Sequence, residues 1–203
     1  MKPNFEEELN KYILSKAIIP NSLGLWETYF KKMCLAWGEI VPNITPQHLI
    51  FAADTGPDVE SALQFKRDIV RKGLTLHAGH LETVEDVIAH VGGFDIAAIT
   101  GAMVACSDLH IPFVIDGYIT AVAMACATRL NANTPLYGIP SHYSREVGMQ
   151  SALAYSNIRL DEVPIHGGMA LGEGTGAVLM VQLLKTAHFA FINIGSMDDL
   201  LKL

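Results

Sequence analysis

The segment that most narrows the choice of fold is IPFVIDG at residues 111–117, a short run of apolar residues closed by Asp-Gly and followed at once by the small-residue stretch YITAVAMACATRL. A run apolar at nearly every position suits a strand covered on both faces, and the small residues after it suit a helix packed closely over a sheet. The pattern recurs. LIFAAD ends in Asp54, Thr55 and Gly56 and precedes helical spacing from Ser61 to Leu76, while the segment around TPLYGI runs into SHYS and then into MQSALAYSNI. Repeated strand-to-helix alternation predicts an α/β fold, a parallel sheet flanked by helices. Further helices are expected over 5–16 and 22–38, and from a cap at Thr83 to the Gly92-Gly93 stop. FDIAAITGAMVACSD, apolar on most sides, is expected to lie as a helix against the sheet.

With 203 residues, half of them hydrophobic, the chain is long enough for one globular domain or a domain with a small appendage. A formal net charge of −7 leaves no broad basic field, so no nucleic-acid partner is expected. Cys34, Cys106 and Cys126 lie far apart in apolar stretches and read as buried thiols of a reducing compartment. Acidic residues occupy the place of a signal-peptide core near Met1, so the expected location is cytoplasmic. The most apolar region, Ile111 to Ala127, is broken by Asp116-Gly117 and reads as strand plus helix rather than as a membrane span. The histidines, including His77, His80 and His90, form no metal-ligand motif, and no metal or organic cofactor is expected.

The strongest chemical motif is LGEGTG at residues 171–176. Its glycines permit close backbone approach, and Glu173 stands where a helix begins. Glu173 reads either as a general base or as a favourable acid beside a helix N-terminus. No GK[ST] follows, so this is not a P-loop. Asp54 and Asp116 each end an apolar run, and Ser141 and Ser144 follow another, which directs all four toward one carboxyl edge of the sheet. There the polar loops suit anion or ribose binding, or the capping of adjacent helices. Lys66 and Arg71 fall on a predicted helix, where a solvated face explains them unless a phosphate lies near.

IPNSLG, LIFAADTG, VGGFDIAAITGAM, IPFVIDGYITAVAMACATRL, SHYSREVG and LGEGTGA, in that order, resemble the nicotinate-nucleotide:dimethylbenzimidazole phosphoribosyltransferase family. The resemblance covers roughly residues 18–56 and 64–195, omits the family's GEMGIGN segment, and carries Thr55 where the family commonly has His. It implies a Rossmann-like sheet over residues 46–185 and a small helical subdomain formed by 1–45 with 186–203, in a homodimer. It implies transfer of phosphoribose from nicotinate mononucleotide to a benzimidazole-type base in cobalamin lower-ligand synthesis. The glutamate of the motif falls on Glu173 as catalytic base, and substrate contacts fall on Lys66, Asp116, Gly117, Ser141, Ser144, Gly172 and Gly174. The missing GEMGIGN segment favours the alternative of a nucleotide-binding or regulatory paralogue without turnover.

Overall fold

The computed structural model of the chain describes residues 4–51, 60–170 and 173–201. The first two amphipathic patterns form α1 (Phe5–Leu14) and α2 (Leu25–Trp37). Glu6, Glu7 and Glu8 fill the first turn of α1, where negative charge suits the helix dipole, and α2 stops at Gly38 in the left-handed conformation. Their inward side chains Phe5, Leu9, Ile13, Phe30 and Cys34 close on Phe191, whose ring stacks on that of Phe30 with centroids 4.4 Å apart. Distant parts of the chain meet beside this cluster. Lys16 bridges Ser196, the Ala17 amide donates to the Gly195 carbonyl at 2.8 Å, and the Met197 amide donates to the Ser15 carbonyl at 2.9 Å.

Next come α3 (Glu60–Leu76) and α4 (Val84–Val91). Thr83 caps α4 as its sequence predicts: its hydroxyl accepts from the Asp86 amide at 3.1 Å while the Asp86 carboxylate reaches back to the Thr83 amide. Helix α3 leaves Phe65, Ile69, Val70, Leu74 and Leu76 exposed.

Strand β1 (Phe113–Ile115) pairs in parallel with β2 (Gly138–Pro140), Phe113 opposite Gly138 and Ile115 opposite Pro140. Beyond β2 the chain continues in extended pairing, with the Tyr143 amide donating to the Ile165 carbonyl at 2.9 Å and the Ile165 amide to the Ser141 carbonyl at 3.2 Å. Two expectations change here. The strand around TPLYGI starts later than expected, because Thr134–Leu136 forms a single tight 3-10 turn ahead of it. LIFAAD forms no strand over its described part, Leu49, Ile50 and Phe51 being exposed with no ladder partner, and Asp54 and Thr55 lie outside the described residues.

The helix from FDIAAITGAMVACSD is α5 (Phe94–Asp108), and it packs chiefly on α6 (Tyr118–Leu130) rather than on the sheet. Two three-residue strands offer no face broad enough for it. Instead Met103 joins Ala121, Ala123, Met124 and Ala127 of α6 in a core that also takes Met149 and Leu153 of α7 (Met149–Tyr155). The chain then runs into α8 (Thr175–Asn193) and α9 (Met197–Leu200). Helix α8 is the one helix among the described residues long and apolar enough to cross a membrane, and here Met180, Leu184 and Phe191 are buried against α2 and the strands.

Candidate functional site

The site grows from the carboxyl end of β1. Asp116 is 7% exposed, and its carboxylate accepts from the Gly174 amide at 3.1 Å and the Ala177 amide at 2.8 Å. A strand-end acid therefore caps α8 from another part of the chain, supplying the acceptor that Gly174, with no side chain, cannot. The capping half of the expectation for Asp116 is what its contacts display.

Ser141, at the carboxyl end of the neighbouring strand, does not open toward a crevice. It is fully buried, its amide donates to the Ile115 carbonyl at 3.0 Å, and its hydroxyl donates to the Asp116 carbonyl at 2.5 Å. Ser144 is also buried, its hydroxyl donating to the Met169 carbonyl at 3.4 Å. Both hydroxyls hold backbone at the strand ends, so the polar loop expected to face a ligand is turned inward. The helix after this loop, α7, begins at Met149, within the MQSALAYSNI segment where it is expected.

Glu173 and Gly174 both take left-handed backbone angles, φ 62° and 80°. That pair of residues turns the chain sharply into α8. Glycine adopts this conformation freely, whereas for glutamate it costs roughly 1–2 kcal/mol. Glu173 is exposed and precedes the cap residue, so it is neither a first-turn acid of α8 nor recessed in a cavity. Gly172 lies outside the described residues. Gly174 packs under the ring of His48, which a side chain at that position would strike.

Gly117 stands as the N-cap just before α6 beside these groups, its amide donating to the Thr120 hydroxyl at 2.9 Å. Thus Asp116, Gly117, Ser141, Glu173 and Gly174 are brought together. Lys66 is not part of that group. It lies half-buried on α3 along a groove of about 410 Å³ shared with Arg67, Val70, Arg71 and Leu74, none of which belongs to the strand ends.

Two further residues, His142 of the SHYS segment and Lys32, complete the surroundings. His142 is buried with its ring against Gly117 and Gly176, a placement signalled only by its position beside Ser141 and by glycines at both facing positions. Lys32 of α2 donates to the Pro135 and Gly138 carbonyls at 2.9 and 2.6 Å and so ties that helix to the start of β2. Burial lowers the Lys32 ammonium to about 8, with Glu162 opposing. Of the thiols, Cys34 is buried and pushed up to about 12 by desolvation, whereas Cys106 and Cys126 are only half-buried. Among the described residues no group of three His, Cys, Asp or Glu is arranged to hold a metal.

A family model described as phosphoribosyltransferase matches residues 55–199. The chain belongs to this phosphoribosyltransferase family. The phosphoribosyltransferase match spans both strands and the whole of α8. Among curated proteins the chain is similar to the nicotinate-nucleotide–dimethylbenzimidazole phosphoribosyltransferases of Clostridioides difficile, 30% identical over 79% of this chain and 48% of the relative, and of Salmonella gallinarum, 31% identical with the same two coverages. The chain therefore spans about half the length of the curated relatives it matches. Among solved structures, a phosphoribosyltransferase of that name from Thermus thermophilus superposes with a TM-score of 0.69 at 16% identity over 98% of each chain. CobT from the same organism gives 0.60 at 23% identity over 96% of this chain and 56% of that one. The fold is thus the α/β fold of these phosphoribosyltransferases.

Proposed function

We propose that this chain transfers phosphoribose from nicotinate mononucleotide to a benzimidazole-type base, the reaction named for its curated relatives, in cobalamin lower-ligand synthesis. The observation that carries the reading is the outward turn at Glu173, held in a left-handed conformation by an α8 start that Asp116 fixes through two amides. Residues kept in costly backbone conformations persist where the surroundings over-determine them, and a carboxylate presented this way is available to a ligand. In the proposed step an azole nitrogen forms a bond to C1′ as the bond from C1′ to nicotinate breaks, and the Glu173 carboxylate takes the acceptor's proton. Gly117 and Gly174 lie beside the nucleotide in this reading, Asp116 acts through the turn it holds, and Ser141 and Ser144 hold the strand ends on which these residues stand.

The second reading, a nucleotide-binding or regulatory paralogue without turnover, is favoured by the missing GEMGIGN segment. Calorimetry with nicotinate mononucleotide, run beside a nicotinate-release assay with dimethylbenzimidazole, separates the two. Binding with release supports the transferase, binding without release the paralogue, and no binding removes both. Glu173→Gln is expected to lower release by 10²–10⁴-fold while leaving nucleotide affinity nearly unchanged. We further propose that the protein works as a cytoplasmic homodimer, with the exposed apolar side chains of α3 as the surface covered by the second copy, and that residues 1–45 and 186–203 form its small subdomain around a Rossmann-like core. Sedimentation velocity of the native chain and of Phe65→Asp tests the dimer.

A further inference from the structure

Three histidines that no sequence motif joins are brought together where α3 ends and α4 closes. The His77 amide donates to the Gly73 carbonyl at 3.0 Å and the His80 amide to the His77 carbonyl at 2.8 Å, so the chain turns tightly after Leu76. His90 stands in the last turn of α4. Its ring centroid lies 5.0 Å from that of His77, with the planes 53° apart, and 5.5 Å from that of His80, with the planes 14° apart. None of the three is used by the proposed transfer.

His90 is prepared to give an electron pair. Its Nδ1 lies 2.9 Å from the Asp86 carbonyl oxygen, which can only accept, so Nδ1 carries the proton and Nε2 of the neutral ring keeps a lone pair on an exposed residue. An imidazole tied to a backbone carbonyl by one nitrogen is oriented to ligate a metal ion with the other. The spacing from His77 has the matching size. With metal–nitrogen bonds of about 2.0–2.1 Å, two imidazoles on one ion, at angles from square to tetrahedral, have centroids about 4.5–5.2 Å apart. The His80 ring at 5.5 Å falls outside that range, and among the described residues no third His, Cys, Asp or Glu is set to join the pair. The Asp86 carboxylate is taken up by the Thr83 hydroxyl at 2.6 Å and amide at 3.3 Å, contacts that together with nearby His90 and His80 hold it below the usual carboxylate range. It gives the pair a negative neighbour without being a ligand.

We infer that His77 and His90 form a two-histidine site for a late transition-metal ion such as Ni²⁺, Cu²⁺ or Zn²⁺, with water completing the coordination. Imidazole selects these ions over Mg²⁺ and Ca²⁺, which take oxygen ligands. The site is independent of the nucleotide reading, and its ion takes no part in the proposed transfer. Its effect falls on α3. Among the described residues that helix packs extensively on no other helix or strand, and its apolar side chains are exposed. An ion shared by His77, one residue past the end of α3, and His90 of α4 clamps the two helices together.

Titration calorimetry of the whole chain with nickel chloride, in the presence of excess Mg²⁺, tests the site. His77→Ala and His90→Ala should each weaken Ni²⁺ binding about a hundredfold, since loss of either donor turns a chelate into a single bond. His80→Ala should change it by less than about twofold, because His80 is outside the coordination proposed here. No Ni²⁺ uptake by the unaltered protein, undiminished uptake by either of the first two variants, or an equal loss in His80→Ala overturns the site. Spectra of the unaltered protein cover a variant that fails to fold. With ¹⁵N-labelled histidine, zinc chloride should move His90 Nε2 and one ring nitrogen of His77 while leaving those of His80 in place, and amide exchange should slow at the end of α3 and in α4. A Zn²⁺ titration that leaves His77 or His90 unmoved, or leaves exchange there unchanged, overturns the proposal.

Discussion

At Glu173 stability and the proposed function pull in opposite directions. Its left-handed φ of 62° is one that glycine adopts without cost. Glu173→Gly is therefore expected to raise stability by about 1 kcal/mol in urea melts while abolishing nicotinate release. Asp116→Ala should do the reverse to the fold. It strips the acceptor from two amides at the start of α8, and a loss of about 3 kcal/mol is expected by the same melts. These roles were unevenly legible beforehand. The glycines of LGEGTG announce a tight turn, but nothing near Asp116 in sequence shows that its partners lie 58 and 61 positions away. Ser141 is ambiguous in sequence for a related reason: a serine after a strand faces a ligand or locks its neighbour's carbonyl, and only the partner strand determines which.

Among the elements, those whose signals are local were readable. Helix α4 is the clearest, because Thr83 and Asp86 satisfy each other across one turn and Gly92 stops the helix. Thr83→Ala is expected to cost about 1 kcal/mol, seen as faster amide exchange confined to α4 and its neighbours. Strands depend on partners that periodicity cannot display. LIFAAD and IPFVID look alike as apolar runs, yet one finds β2 and the other leaves Leu49 to Phe51 exposed over its described part. The sequence of α5 leaves its neighbour open for the same reason, since its small residues suit a helix partner as well as a sheet, and α6 offers Ala121, Ala123 and Ala127.

Taken whole, the molecule is joined across its helical and strand-bearing parts by Lys32, and this gives its stability a pH signature. Folding lowers the Lys32 value from 10.5 to about 8, so above pH 8 the unfolded chain holds a proton that the folded one has released. Stability from this group should accordingly rise with pH from about 8. Tyr29, raised above its usual 10 by burial and by Glu162, acts with the opposite sign at still higher pH, because there the folded state keeps the proton. Urea melts from pH 7 to 10 should show the climb, and Lys32→Met should flatten it. The carboxylate of Asp116 has a different consequence, one of timing. The turn that presents Glu173 is closed by a contact 61 positions apart in sequence, which a refolding chain reaches only after the intervening segments have been brought round. Helical signal can recover without it, but the site cannot. The proposed competence to hold a nucleotide should thus be among the last properties the chain acquires on folding and among the first it loses on partial unfolding.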